Sequence, residues 1–187
     1  MKTENNNDIS LILKALKFSS EKHRSQKRKD EIGSPYINHP IQVAELLWNT
    51  GKVQDVSVII AGLLHDTIED TNTKADEIKT LFGEEVLNFV LEVTDDKTLP
   101  RDERKRLQVD HAHKKSDGAK QIKMADKISN IIDVTYSPPI NWSLERKKEY
   151  LNWTENVMKG LRGVNPELEK LYDESLIKAR KVLKIEE

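Results

Sequence analysis

Apolar residues recur every three to four positions along nearly the whole chain, a spacing that predicts helices rather than strands. Ile9, Leu13, Ala15 and Leu16 mark a first helix running towards Lys22. A polar, basic connection follows, HRSQKRKDEIGSP, with Gly33 and Pro35 as breakers. Asn38 and Pro40 open a second helix, which carries Ile41, Val43, Ala44, Leu46 and Leu47 and stops near Gly51. The next run, VQDVSVIIAGLLHDTIED, is apolar on nearly all sides from Val56 to Leu64, as expected of a central helix. Thr71 or Thr73 is placed to cap a helix from Lys74 to Phe82, which Gly83 ends. Further helices are expected near 84–94, 101–114, 117–134, 143–160 and 166–184, with Pro100, Pro138, Pro139 and Pro166 as separators.

No strand pattern, internal repeat or low-complexity block interrupts this series. The expected fold class is therefore all-α. A single helical bundle should cover residues 8–187, with residues 1–7 a flexible tail.

Composition narrows the function classes. Of 187 residues, 34% are charged and 36% apolar, with 7 Gly and 6 Pro, a balance suited to a soluble helical globule. The formal net charge of −1 provides no global basic field, so nucleic acid is not an expected partner. There are no cysteines, so any metal must be held by histidines and carboxylates. MKTENNND lacks a hydrophobic signal core, and no run approaches the roughly 18–20 apolar residues that cross a membrane. The expected location is cytoplasmic, without a membrane partner; the pattern does not speak to oligomeric state.

LLHDTIED, residues 63–70, places four ionisable groups at the end of the most apolar helix. On a continuous helix His65 and Glu69 share a face, as do Asp66 and Asp70. A helix end reaching solvent is the plain explanation. Against it, acids in a last turn oppose the helix dipole by about 0.3–1 kcal/mol each, and buried polar groups need partners. A bound cation would meet both objections. His39 in YINHP and Asp126 in QIKMADKISNII, with Asn130 one turn on, complete a candidate ligand set of His39, His65, Asp66 and Asp126. Mixed nitrogen and oxygen ligation suits Mn, Fe, Zn or Co, and the spacing does not choose among them. His23, His111 and His113 lie in strongly charged stretches and read as solvated surface residues.

Such a metal activates water and draws charge from a phosphoryl oxygen, which makes phosphate ester or anhydride hydrolysis the natural reaction. Glu69 and Asp70 would then handle the water or the leaving group. Lys27, Arg28 and Lys29 precede His39 and are candidate phosphate contacts; a charged surface loop is the alternative.

An upstream His, an HD pair and a distant Asp together resemble the HD-domain phosphohydrolases. More narrowly, RKDEIGSPYINHP, AGLLHDTIEDT, VTDDKTLPRDERKRLQ and KMADKISNIID resemble the hydrolase domain of RelA/SpoT homologues, in its stand-alone small alarmone hydrolase form, which includes the metazoan SpoT-homologue type. The resemblance runs through WSLERKKEYLNWTENVMKGLRG and covers about residues 10–165. It implies an HD-domain bundle binding one Mn²⁺ through His39, His65, Asp66 and Asp126, with Glu69 and Asp70 as the acid/base pair. It also implies removal of the 3′-pyrophosphate of (p)ppGpp, giving GDP or GTP. Arg28 and Lys29 would flank this guanosine nucleotide, Asn130 would bond its ribose, and Arg146 and Tyr150 would line the phosphate side, with Lys97 and Arg101 as further cations. The chain has no room for the synthetase domain of long relatives, so hydrolysis without synthesis is expected. Two other readings keep the fold: a phosphatase of NADPH or another 2′/3′-phosphorylated nucleotide, and a non-catalytic nucleotide-sensing module.

Overall fold

Helices carry the fold from end to end of residues 2–185, which the computed structural model describes. They are α1 (Lys2–Lys22), α2 (Asn38–Glu45), α3 (Val56–Leu64), α4 (Thr67–Asp70), α5 (Ala75–Phe82), α6 (Glu84–Val93), α7 (Arg101–His111), α8 (Asp117–Tyr136), α9 (Leu144–Leu161) and α10 (Pro166–Leu183). A wide turn, Leu46–Thr50, prolongs α2, and a tight one, Ala112–Lys114, follows α7. Among the described residues the single trace of β structure is an isolated bridge between Lys27 and Pro35. No described helix is long and apolar enough to cross a membrane.

Two helices form the centre. Every residue of α3 from Val58 to Leu64 is buried, and α3 packs on α1, α2, α6 and α8. Helix α8 in turn packs on α2, α6, α9 and α10. Leu47, Leu64, Ile122, Met124, Ile128 and Leu151 are fully enclosed where these elements meet, and each contributes about 1.5–3 kcal/mol through burial. Gly62 belongs to this packing. A Cβ there would stand 2.7 Å from Leu47 Cδ1, so its lack of a side chain lets α3 lie close against α2.

Local chemistry sets the starts. Asp55, Ser116, Ser143 and Asn165 accept backbone N–H bonds as caps of α3, α8, α9 and α10, and Pro166 fills the first turn of the last. Neither Thr71 nor Thr73 caps α5. Their hydroxyls bond each other at 2.7 Å, and Glu77 instead accepts from the Lys74 N–H at 3.0 Å. The first helix begins at Lys2, well before the expected residue 8, because neither Gly nor Pro interrupts that stretch; Met1, the tail's first residue, lies outside the described residues.

The helix expected through LLHDTIED does not run unbroken. α3 ends at Leu64, and α4 starts at Thr67. Side chains take the carbonyls that the next turn would have used: Thr67 Oγ1 donates to the Leu64 carbonyl at 2.6 Å, and His65 Nδ1 to that of Gly62 at 2.8 Å. Glu69 and Asp70 therefore belong to a separate four-residue helix and do not oppose the dipole of α3. The dipole objection thus weakens, while the burial objection stands.

Candidate active site

The break after α3 turns the HD pair inward, towards α2 and α8. The Gly62 carbonyl can only accept, so His65 Nδ1 carries a proton and its Nε2 faces the cluster. That buried Nε2 has no hydrogen-bond partner. Asp66 Oδ2 stands 3.1 Å from it without hydrogen-bond alignment. His39 is oriented in the same way. Ser129 Oγ donates to Gln42 Oε1 at 2.7 Å and so accepts from His39 Nδ1 at 2.8 Å. His39 Nε2 is left facing Asp126 Oδ1 at 3.3 Å and Asp66 Oδ2 at 3.7 Å.

Ligand atoms of His39, His65 and Asp126 lie within 4.8 Å of one another, all on buried residues. Donors around one ion at about 2.0–2.2 Å come to rest roughly 3–4 Å apart. The orphaned His65 nitrogen beside two carboxylates is the feature a divalent cation satisfies, so the donor set fits one. The electrostatics agree. Burial alone would lower the His65 pKa, but Asp66 and Asp126 carry it up to about 9, the same attraction that draws a cation. Burial pushes His39 below the ordinary imidazole value, and Asp126 offsets this only in part. Against burial, His65 and His39 hold Asp66 well below the usual carboxylate range, and Lys127 and His39 do the same for Asp126. The Tyr36 phenol donates to Asp66 Oδ2 at 2.6 Å; burial and then Asp66 push its pKa well up, so it stays a donor.

A cavity of about 660 Å³ opens beside the cluster, walled in part by Arg28, Lys29, His39, Glu69, Asp70, Asn130 and Tyr150. His65, Asp66 and Asp126 sit behind His39 rather than on that wall. The two candidate acid/base groups have different partners. Glu69 accepts from the Asp95 N–H at 3.0 Å and lies 3.7 Å from an Arg104 nitrogen; burial, the main influence, pushes its pKa up. Asp70 accepts from Gln26 Nε2 at 3.0 Å and pairs with Lys97.

Arg28 pairs with Asp133 and donates to Asn130 Oδ1 at 3.0 Å, while Asn130 donates to Asp126 Oδ1 at 2.5 Å. The expected nucleotide contacts are thereby tied to the metal cluster. Lys29 is exposed at the cavity's edge. Tyr150 packs between Trp142 and Trp153, with ring centres 5.3 and 5.5 Å away and planes tilted by 60° and 50°. Arg146 is exposed outside the cavity wall, its guanidinium 4.8 Å over Trp142. Arg101, at the exposed start of α7, is not brought to the cavity.

Three participants escape a reading of spacing alone. Tyr36 lies one turn before His39, and only tertiary contact joins it to Asp66. Lys127 is 4% exposed; its Nζ lies 3.1 Å from Asp126 Oδ2, 3.2 Å from Gln108 Oε1 and 4.5 Å from the Trp153 ring centre. A lysine inside the apolar run MADKISNII was the available signal. His23, expected on the surface, is 2% exposed, because its ring stacks on Tyr36 at 4.9 Å. His111 and His113 are exposed, as expected.

A family model described as an HD domain matches residues 15–146, a span holding all four candidate ligands. The chain belongs to the HD-domain family. That membership implies a divalent metal, in keeping with the buried cluster. The HD-domain chain is 52% identical over 166 residues to a Xenopus tropicalis protein named guanosine-3′,5′-bis(diphosphate) 3′-pyrophosphohydrolase MESH1, covering 89% of this chain and 93% of that one. A Homo sapiens protein of the same name is 50% identical over 162 residues, covering 87% and 90%. A solved structure described as a metazoan ortholog of SpoT that hydrolyzes ppGpp and plays a role in starvation responses superposes with a TM-score of 0.87. It is 42% identical, and the match covers 90% of this chain and 94% of that one.

Proposed function

We propose that this chain hydrolyses guanosine-3′,5′-bis(diphosphate) and its 5′-triphosphate analogue at the 3′ position, releasing pyrophosphate and GDP or GTP. The observation that carries this reading is the orphaned His65 nitrogen within the His39–His65–Asp126 cluster, set beside a cavity whose lining includes Lys27, Arg28 and Lys29 together with the carboxylates Glu69 and Asp70. It is supported by relatives of about half identity that bear this activity in their name.

In the proposed mechanism His39, His65, Asp66 and Asp126 are the residues that would hold one Mn²⁺. A divalent cation there supplies Lewis acidity towards a phosphoryl oxygen and makes water acidic enough to lose a proton near neutrality. The protein's own groups do the rest. Water attacks the phosphorus attached to the ribose 3′ oxygen, and that P–O3′ bond breaks. Asp70 and Glu69 accept the proton that water loses and return one to the departing 3′ oxygen. Arg28, Lys29 and Lys27 meet the phosphates, Asn130 bonds the ribose, and Tyr150 and Trp142 offer flat faces to the nucleotide. Arg146, stacked on Trp142, is the next cation outward. Arg28 is already engaged with Asp133, and a guanidinium's five donors leave it N–H groups for phosphate.

The test is pyrophosphate release from ppGpp by the purified protein with Mn²⁺, against a chelated sample and the Asp66→Ala variant. Release that is fast in the first and lost in the other two is expected. Equal release in all three would overturn the reading. A parallel NADPH sample that yields orthophosphate faster than ppGpp yields pyrophosphate would reassign the substrate.

A further inference from the structure

We propose that Gln26, held in place by His23, is a positioning residue for Asp70. This rests on the reading above, in which Asp70 handles a proton of the reaction.

Gln26 lies in the turn after α1, far in sequence from the HD pair. Its side-chain amide donates through Nε2 to Asp70 Oδ2 at 3.0 Å and accepts through Oε1 from His23 Nδ1 at 2.7 Å. The carboxylate can only accept, so it fixes which end of the amide faces it; the amide oxygen in turn requires the proton on His23 Nδ1. Donors therefore run in one direction, from His23 through Gln26 to Asp70. The backbone fixes the same residue, with Gln26 N bonded to the His23 carbonyl at 2.9 Å and the Gln26 carbonyl accepting from Tyr36 N at 3.0 Å.

His23 is poorly suited to merely filling space. Its Nε2 is buried without a hydrogen-bond partner, an arrangement that costs stability. An apolar side chain would avoid that cost, so the useful atom is Nδ1. The ring also stacks on Tyr36, whose phenol bonds the candidate ligand Asp66. One short segment thus steadies a carboxylate on each side of the reaction. Asp70 sits on a four-residue helix with its other oxygen on Lys97, a half-exposed residue, so the Gln26 bond is its more enclosed restraint. A neutral amide restrains the carboxylate without adding a second full charge to it.

Misplacement of a catalytic group by about 1 Å costs roughly 100-fold in rate. The test measures kcat and KM for ppGpp with Mn²⁺ in Gln26→Leu, His23→Leu, His23→Asn and the Gln26→Leu/His23→Leu double variant, together with Tm and Mn²⁺ content. Gln26→Leu should lower kcat about 10–100-fold, with KM within about twofold. His23→Leu should fall part of the way, and the double variant should match Gln26→Leu alone, because His23 acts through Gln26. His23→Asn keeps an N–H near the Nδ1 position and should recover kcat, even where His23→Leu has the higher Tm. A purely structural role predicts the reverse order, with kcat following Tm. That order, an unchanged kcat in Gln26→Leu, or a loss confined to KM would overturn the proposal. Failure of the functional reading shows separately: wild-type protein releasing no pyrophosphate, or Asp70→Asn as active as wild type, removes the basis for both.

Discussion

Asp66 is the candidate ligand whose role most needs isolating, because the mutually close cluster consists of His39, His65 and Asp126. Its Oδ2 nonetheless lies 3.1 Å from His65 Nε2 and 3.7 Å from His39 Nε2, the spacing of atoms that share an ion. Asp66→Asn removes the charge while keeping an oxygen for the Tyr36 phenol, which now bonds at 2.6 Å. Loss of a group that only orients a ligand costs about 10–100-fold in metal affinity, so a direct ligand should cost at least the upper figure. A 100-fold loss is about 2.7 kcal/mol. For a chain of this size, about 2–4 °C of Tm accompanies each kcal/mol. At a Mn²⁺ concentration near 100 times the wild-type Kd, wild type should therefore gain roughly 5–11 °C over chelated protein, and Asp66→Asn about 1–2 °C. The assay is thermal melting of chelated and Mn²⁺-titrated samples, each protein serving as its own reference. That design removes any difference between the two metal-free proteins. An Asp66→Asn protein that keeps the whole increment would refute the four-ligand site and leave the triad as the complete protein ligand set.

Lys127→Met should destabilise chelated protein by about 1.5–3 kcal/mol, since it removes a charged hydrogen bond from the buried Asp126 carboxylate and leaves it only Asn130 and His39. The loss should be smaller with Mn²⁺ bound, and urea melts of both forms would measure the difference; equal losses would contradict it. Gly160→Ala should lower Tm, because its Cβ would stand 2.7 Å from Ala112 Cβ and 2.9 Å from the His113 nitrogen, costing about 1–3 kcal/mol against about 1 regained in helix propensity. Glu69→Gln should abolish turnover and stabilise the fold with increasing pH. Burial raises the Glu69 pKa above 4.5, so its stabilising protonated state is complete below that value and is lost as pH rises through the raised one. Glutamine undergoes no such loss, so the variant's Tm advantage should be absent below the ordinary glutamate value of 4.5 and grow as pH rises above it; a pH-independent difference would count against it.

The helices were legible because most of them satisfy local rules at the same time as tertiary ones. Val58 to Leu64 is apolar all round because that stretch of α3 is buried throughout, and Pro166 and Gly83 lie where a helix starts or stops. The ligand candidates were legible for the opposite reason. Asp126 stands among Ile122, Ala125 and Ile128, where local pattern and charge disagree, and such conflicts mark functional positions. Contacts between distant segments were not legible. Nothing in HRSQKRKD distinguishes His23 from a solvated residue until Tyr36 folds over it, and no spacing rule joins Gln26 to Asp70. The break at His65 was hidden for another reason. It arises from side-chain bonds to the Gly62 and Leu64 carbonyls, without the glycine or proline that ordinarily signals an interruption.

That break explains how residues close in sequence come to face different parts of the site. On an unbroken helix Glu69 and Asp70 would continue the polar stripe of His65 and Asp66 and compete for the same cation. On α4 they instead reach the cavity wall, Glu69 held by the Asp95 backbone and Arg104, Asp70 by Gln26 and Lys97. Both sets draw on the α6–α7 connection, Glu69 through Asp95 and Asp70 through Lys97; Arg104 of α7 and Gln26 after α1 complete them. The two carboxylates thus share one anchoring segment and differ in their second partner, and burial favours the protonated form of Glu69. Two carboxylates side by side on the cavity wall are what the proposed water attack and leaving-group protonation would use, one to accept a proton and one to give it.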